Sequence, residues 1–288
     1  MTEFDVLATG PLTVLCDLGR PGYATVGVSP SGAADRGAYR LGQRLLGQSY
    51  DAAALEVTLG GLSVRSSGLV WVALTGAETG ATVDGRPVAA GAPFVLQPGQ
   101  LLRLGRPRAG LRTYLSVRGG FGVPAVLGSR STDLLSGLGP PPVRRGDRLP
   151  IGPVPAELAF APVDFAVTAP ARPEPTELAT GPGPRLDWFA DPTQLTRTRW
   201  TVSSDSNRVG VRLQGTALRR DPAHLGELPS EPLVRGAIQV PPSGQPVVFL
   251  ADHPVTGGYP VIGVLTPEAT DLIAQARPGD LVGFRFRA

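Results

Sequence analysis

Two short stretches, Val117-Arg118-Gly119-Gly120-Phe121 and Val255-Thr256-Gly257-Gly258-Tyr259, share an order of residues and decide how the chain is read. Asp133 stands fourteen positions after Gly119, and Asp271 fourteen after Gly257. Asp133-Leu134-Leu135 then matches Asp271-Leu272-Ile273, and each copy runs on to a Gly-Asp turn, Gly146-Asp147 and Gly279-Asp280, followed by a short apolar strand. Order and spacing predict an internal duplication, hence two related domains, 1–160 and 161–288. Their boundary is expected in the proline-rich stretch 152–184.

Around these stretches the chain reads as short strands: Thr13–Cys16, Leu69–Leu74, Phe94–Leu96, Arg112–Val117, Thr198–Val202, Val247–Ala251 and Leu281–Phe286. Glycine (38) and proline (31) are abundant in the 288 residues but show no triplet period, so they mark turns. Val83-Asp84-Gly85-Arg86-Pro87 predicts a tight hairpin. Two helices stand out. One spans about Gly32 to Leu46, and the other follows Thr266, an N-cap candidate, with Pro267 in its first turn and an end near Ala276. The fold expected is mainly β, as closed or sandwiched sheets with few short helices.

Composition removes several chemistries. All 27 basic residues are arginine, so Schiff-base enzymes, pyridoxal phosphate anchors and phosphate-loop lysines are excluded. One cysteine, Cys16, and two histidines, His224 and His253, leave no cysteine/histidine zinc site, and no metal is expected. The net charge of +3 gives no case for nucleic acid. The densest basic run, Arg103, Arg106, Arg108, Arg112 and Arg118, reads as a solvated strand face. The longest apolar runs, of about six residues, are too short to span a membrane, and the N-terminus shows no signal region, so a cytoplasmic protein is expected.

Polar groups gather at three places. Gly27-Val28-Ser29-Pro30-Ser31-Gly32-Ala33-Ala34-Asp35 leads into the first helix, where main-chain N–H groups favour an anion or a carbonyl oxygen and Ser31 or Asp35 orients an amide. An N-cap with a first-turn carboxylate accounts for the same residues without a ligand. In the second half, Asp252, Thr256, Gly257, Gly258 and Tyr259 join a carboxylate, a hydroxyl, a glycine pair and a phenol suited to an amide edge, with a plain turn as the alternative. Arg208 and Arg212, four apart, suit a carboxylate or face solvent. A serine-hydrolase arrangement of Ser31, Asp252 and His253 is disfavoured, because adjacent Asp252 and His253 project in different directions and the Gly-x-Ser-x-Gly elbow is broken.

Taken together, Asp17 to Tyr23, Gly27 to Asp35, Leu55-Glu56-Val57-Thr58-Leu59-Gly60-Gly61, Leu74-Thr75-Gly76-Ala77, Leu127-Gly128-Ser129-Arg130-Ser131-Thr132, Gly236 to Pro242 and Thr256 to Pro260 resemble one family. It is the biotin-dependent carboxyltransferase-like family, which includes the C subunit of 5-oxoprolinase, the allophanate hydrolase subunit 2 group and the kinase-inhibitor antagonist protein. Val255 and Pro232 depart from its pattern, where a threonine and a glycine are usual. The resemblance implies tandem cyclophilin-like β-barrel domains and an ATP-dependent lactam hydrolase that opens 5-oxo-L-proline to L-glutamate as one member of a heteromeric complex. The A and B subunits of 5-oxoprolinase are the implied partners, and ATP is bound by this chain or by one of them. Ser31, Asp35, Asp252, Thr256 and Tyr259 become catalytic candidates; Gly32, Glu56, Arg130, Arg208, Arg212, Gln239, Gly257 and Gly258 become substrate-binding candidates. Two alternatives remain open: a carboxyltransferase acting on urea or another small amide with a biotinylated partner, and a non-enzymatic regulator binding a kinase-inhibitor-like partner.

Overall fold

Residues 2–154, 165–166, 176–224 and 226–287 are described in a computed structural model. They divide into two compact units: 2–20, 31–133, 137–154 and 165–166 in the first, and 21–30, 134–136, 176–224 and 226–287 in the second. Much of the expected boundary lies outside the described residues. Segments 21–30 and 134–136, early in sequence, group with the later unit.

Strands of the first unit form two antiparallel sheets. The six-stranded sheet runs Arg148–Pro150, Glu3–Thr9, Leu62–Ser66, Leu101–Arg103, Thr82–Val83, Arg86–Pro87. The five-stranded sheet runs Leu12–Cys16, Ala54–Thr58, Arg112–Val117, Val70–Gly76, Pro93–Leu96. Alternate residues of both sheets point into one apolar core, with Phe4, Val64 and Leu102 from the first and Leu55, Val57, Val72 and Leu115 from the second. The hairpin expected at Asp84-Gly85 is present: Val83 pairs with Arg86 across two residues at φ 48° and 81°, the left-handed pair that a tight two-residue turn needs.

Strand Arg112–Val117 is buried at every residue because both its faces are covered. Leu115 and Val117 enter the core between the sheets, while Tyr114 packs with Cys16, Tyr39 and Ala54 on the face that meets helix Arg36–Leu45. The helix comes close at Gly42, where an added Cβ would stand 2.5 Å from the Ser116 hydroxyl. It starts four residues later than its apolar stripe predicts, since Ser31 (φ 52°) and Gly32 (φ 102°) are left-handed and Asp35 is the N-cap. Arg112 and Arg118, expected on a solvated face, are buried; the strand's double burial overrides the charge pattern.

In the second unit seven strands close a barrel in the order Thr176–Pro182, Val261–Leu265, Ala237–Gln239, Val247–Phe249, Gly210–Gln214, Trp200–Val202, Leu281–Phe286. Strand Leu281–Phe286 closes it, antiparallel to Trp200–Val202 and parallel to Thr176–Pro182. Helix Pro267–Ile273 begins as predicted, with the Thr266 hydroxyl accepting from Ala269 N–H, and ends three residues before the expected Ala276.

The segments matched as a duplication fold differently. Residues 257–271 supply a short strand, the barrel strand Val261–Leu265 and most of a helix, whereas 119–133 contains only isolated bridges at Phe121, Val126 and Ser129. The Gly-Gly pairs serve different elements, but the Gly-Asp pairs build one and the same turn: Asp147 N–H donates to the Arg144 carbonyl (3.1 Å) and Asp280 N–H to the Arg277 carbonyl (3.0 Å), Arg144 N–H and Arg277 N–H donate back to the Asp147 and Asp280 carboxylates (2.8 Å each), and a strand follows each.

Candidate functional site

The turn before the first helix is held by its own backbone. Ala33 N–H donates to the Asp17 carbonyl (2.9 Å), Ala34 N–H to Glu56 Oε2 (2.9 Å) and Asp35 N–H to Tyr114 Oη (2.8 Å). Tyr114 Oη–H in turn donates to Glu56 Oε2 (2.8 Å), and Arg112 Nε lies 3.2 Å from Glu56 Oε1. Burial, then the Glu56 charge, pushes the Tyr114 phenol well above its ordinary value, so it stays a neutral donor.

This arrangement bears on several of the expected site residues. Of the main-chain N–H groups expected to serve an anion at this helix start, those of Ala33, Ala34 and Asp35 are already taken. Asp35 is the N-cap, accepting Ala38 N–H at 2.9 Å. Glu56, expected on substrate, is fully buried and spends its oxygens on the turn and Arg112. Ser31 is also fully buried and donates to the Thr132 carbonyl (3.2 Å); Gly32 is required beside it, since a Cβ would stand 2.8 Å from the Leu18 carbonyl carbon.

Sequence reasoning missed Asp17 as a hub. Its Oδ1 accepts from Gly19 N–H (2.7 Å) and from the hydroxyls of Ser129 and Ser131 (2.6 Å each), and its Oδ2 accepts from Arg130 N–H (2.6 Å). These partners lie up to 114 residues away, so no local spacing reveals them. Arg130, a substrate-binding candidate, also gives Nε–H to the Val123 carbonyl (2.9 Å). Above the hub is an open cleft of about 270 Å³, lined by Asp17, Leu18, Gly19, Tyr50, Asp51 and Gly128.

In the second unit Arg208 and Asp252 form a buried bidentate pair: Nε to Oδ2 at 2.9 Å, Nη2 to Oδ1 at 3.0 Å, with side chains 1% and 0% exposed. Asp252 Oδ2 also accepts Leu134 N–H (3.1 Å). A guanidinium fork filled by a carboxylate of its own chain is not available to a substrate carboxylate in this conformation, which corrects the role expected of Arg208 and, equally, the catalytic role of Asp252. Arg212 is exposed and gives Nη1–H to the Asp205 carbonyl (3.1 Å).

The turn Thr256–Tyr259 is open. Thr256 is exposed, Tyr259 is 43% exposed, and Thr256–Gly257 pairs with Glu231–Pro232. Gln239, a substrate-binding candidate, gives Nε2–H to the Tyr259 carbonyl (2.9 Å), and an added Cβ on Gly257 would stand 2.6 Å from that nitrogen. The amide therefore fixes the turn from beneath while the Thr256 hydroxyl and Tyr259 ring face outward. Arg185, ion-paired with Glu231, lies over the Trp188 ring.

Among the described residues no three carboxylate, histidine or cysteine side chains gather to hold a metal, and no helix is long and apolar enough to cross a membrane.

Fold and sites together define a mainly β protein with buried, partnered arginines in both units and an exposed hydroxyl-and-glycine turn in the second. The family model described as "Carboxyltransferase domain, subdomain A and B" matches residues 26–286, and the chain belongs to that family. It is 38% identical to the 5-oxoprolinase C subunit of Escherichia coli over 97% of this chain and 89% of that protein. It is 33% identical to the 5-oxoprolinase C subunit of Haemophilus influenzae, over 97% and 90%. The K. lactis urea amidolyase structure superposes with a TM-score of 0.88 at 30% identity, covering 99% of this chain; the chain spans 19% of that larger protein.

Proposed function

We propose that the chain is the C subunit of an ATP-dependent 5-oxoprolinase, working in the cytoplasm with the A and B subunits to open 5-oxo-L-proline to L-glutamate. The observation that carries this reading is the near full-length 38% identity to the Escherichia coli C subunit. Amide resonance is the barrier to opening a lactam. Phosphorylation of the amide oxygen by ATP, with release of ADP, makes the ring carbon open to water, and loss of phosphate with cleavage of the C–N bond leaves glutamate. This chain's part is to hold the imidate-like form. Thr256 and Tyr259 are the candidate donors, being exposed on a turn that Gln239 fixes. Reconstitution with the two partner subunits tests the reading: glutamate should form only when ATP and all three chains are present, and undiminished glutamate without this chain sinks it.

A second reading, carboxyl transfer to a small amide, is favoured by the likeness to urea amidolyase. With no lysine the chain cannot carry biotin itself, so a biotinylated protein recovered with it in a native pull-down would support that reading.

A further inference from the structure

Arg20 is 1% exposed, and its guanidinium is incompletely matched. Nη2 donates to the Ser131 carbonyl and Nε reaches the Val126 carbonyl at 3.4 Å. Nη1 lies 4.0 Å from Asp133 Oδ2, too far for a hydrogen bond, and has no hydrogen-bond partner among the described residues. The Thr132 hydroxyl, on the same segment that Arg20 faces, is also buried without a partner among them. A guanidinium removed from water is normally matched by a close carboxylate or a full set of acceptors. Here neutral carbonyls take two of the nitrogens, and the third faces the buried Asp133 carboxylate across 4.0 Å without a hydrogen bond.

The surroundings are shaped for this group. Gly139 stands at φ 82°, and a Cβ there would lie 3.0 Å from Arg20 Nη2 and 2.1 Å from the Ser131 carbonyl oxygen, so only glycine leaves the guanidinium its place. The two carbonyls that hold Arg20 straddle Gly128, which lines the open cleft together with Gly19, the residue preceding Arg20. The cleft thus adjoins both loops that position the guanidinium, and the Asp17 hydrogen bonds to Gly19, Ser129, Arg130 and Ser131 fix those loops.

We propose that Arg20 Nη1 and the Thr132 hydroxyl form a binding site for a small carboxylate, reached from the cleft of the first unit. Resting on the function proposed above, the carboxylate is that of the lactam substrate, and Arg20 takes the role that Arg208 cannot. Both groups donate to oxygen, and the guanidinium charge favours a carboxylate over the neutral carbonyl of a lactam.

The test uses the full chain labelled with ¹⁵N-arginine, following the Arg20 Nε–Hε resonance by NMR. Sodium acetate and 5-oxo-L-proline should each shift it to saturation, and 2-pyrrolidinone, the same lactam without a carboxylate, should leave it in place. Arg20→Lys should weaken 5-oxo-L-proline binding by about tenfold or more, equivalent to about 1.4 kcal/mol. Should that variant fail to fold, Thr132→Val, equal in shape, keeps the test and should weaken binding severalfold. Absence of saturation by either carboxylate, or an equal response to 2-pyrrolidinone, overturns the site. Acetate binding without 5-oxo-L-proline binding overturns the substrate assignment. If the reconstituted complex yields no glutamate while acetate still titrates Arg20, the carboxylate site stands and the function proposed above falls.

Discussion

Replacing Asp252 with asparagine separates a structural carboxylate from a catalytic one. Asp252 accepts from Arg208 Nη2 on Oδ1, and from Arg208 Nε and Leu134 N–H on Oδ2. An asparagine keeps one oxygen, best placed where it accepts two donors, and turns its NH₂ toward Arg208 Nη2. One hydrogen bond becomes a donor–donor contact, and Arg208, 1% exposed, loses its counter-charge. Removing one partner of a buried ion pair costs about 3–5 kcal/mol, a large share of the roughly 5–15 kcal/mol that holds a domain together. A fall in midpoint temperature of roughly 10–20 °C follows. Urea unfolding of the wild type and Asp252→Asn, followed by Trp fluorescence and far-UV circular dichroism, gives the difference directly. The pair Arg208→Met with Asp252→Leu should be less damaging than either single change, because it leaves no unpaired charge. A loss below about 1 kcal/mol together with abolished turnover in the assembled enzyme would refute this reasoning and make Asp252 a catalytic group.

Tyr259→Phe should leave the unfolding midpoint of the chain unchanged, since the ring is 43% exposed and its anchoring bond uses the backbone carbonyl, while turnover of the assembled enzyme falls. Wild-type turnover would remove the hydroxyl from the mechanism. Gly32→Ala should destabilise the chain by more than about 1 kcal/mol in urea unfolding, through its φ of 102° and a Cβ at 2.8 Å from the Leu18 carbonyl carbon; an unchanged midpoint would show that the turn relaxes. The hydrogen bond from Arg185 holds the Glu231 carboxyl below its ordinary 4.5. A depressed folded value stabilises above that pH and is lost as the pH falls through the folded value, so Glu231→Gln should flatten this part of the acid limb of stability. The pair is about a third exposed, so the effect should shrink with added salt; an unaltered acid limb would show that the pair contributes nothing.

Elements carried by local chemistry were legible in the sequence. Strands Arg112–Val117 and Leu281–Phe286 match their expected bounds, the Asp84-Gly85 turn follows from the left-handed preference of its residues, and Thr266-Pro267 is a helix start of ordinary construction. The matched repeat is legible only in part: the Gly-Gly pairs at 119–120 and 257–258 lie in differently built segments, whereas Gly146-Asp147 and Gly279-Asp280 form turns with matching hydrogen bonds, each before a strand. The sites were less legible because their chemistry is long-range. Asp17 meets Ser131 across 114 residues and Glu56 meets Tyr114 across 58. A carboxylate read alone looks like a ligand group, and only the fold shows that Glu56 and Asp252 are already engaged. Arg20, flanked by glycine and proline in sequence, looks like part of an exposed turn.

Strand Leu281–Phe286 ties Trp200–Val202 to Thr176–Pro182, so the barrel of the second unit is completed by the latest of its strands in sequence. Until residue 286 has left the ribosome, Thr176–Pro182 and Trp200–Val202 each lack a neighbour and present open backbone edges that could recruit other chains. Closure then joins residues more than a hundred apart, a slow kind of pairing. Nascent chains stalled before residue 281 should remain protease-sensitive throughout 176–265, and the yield of this protein in a cell should depend on how quickly translation supplies the strand that closes the barrel.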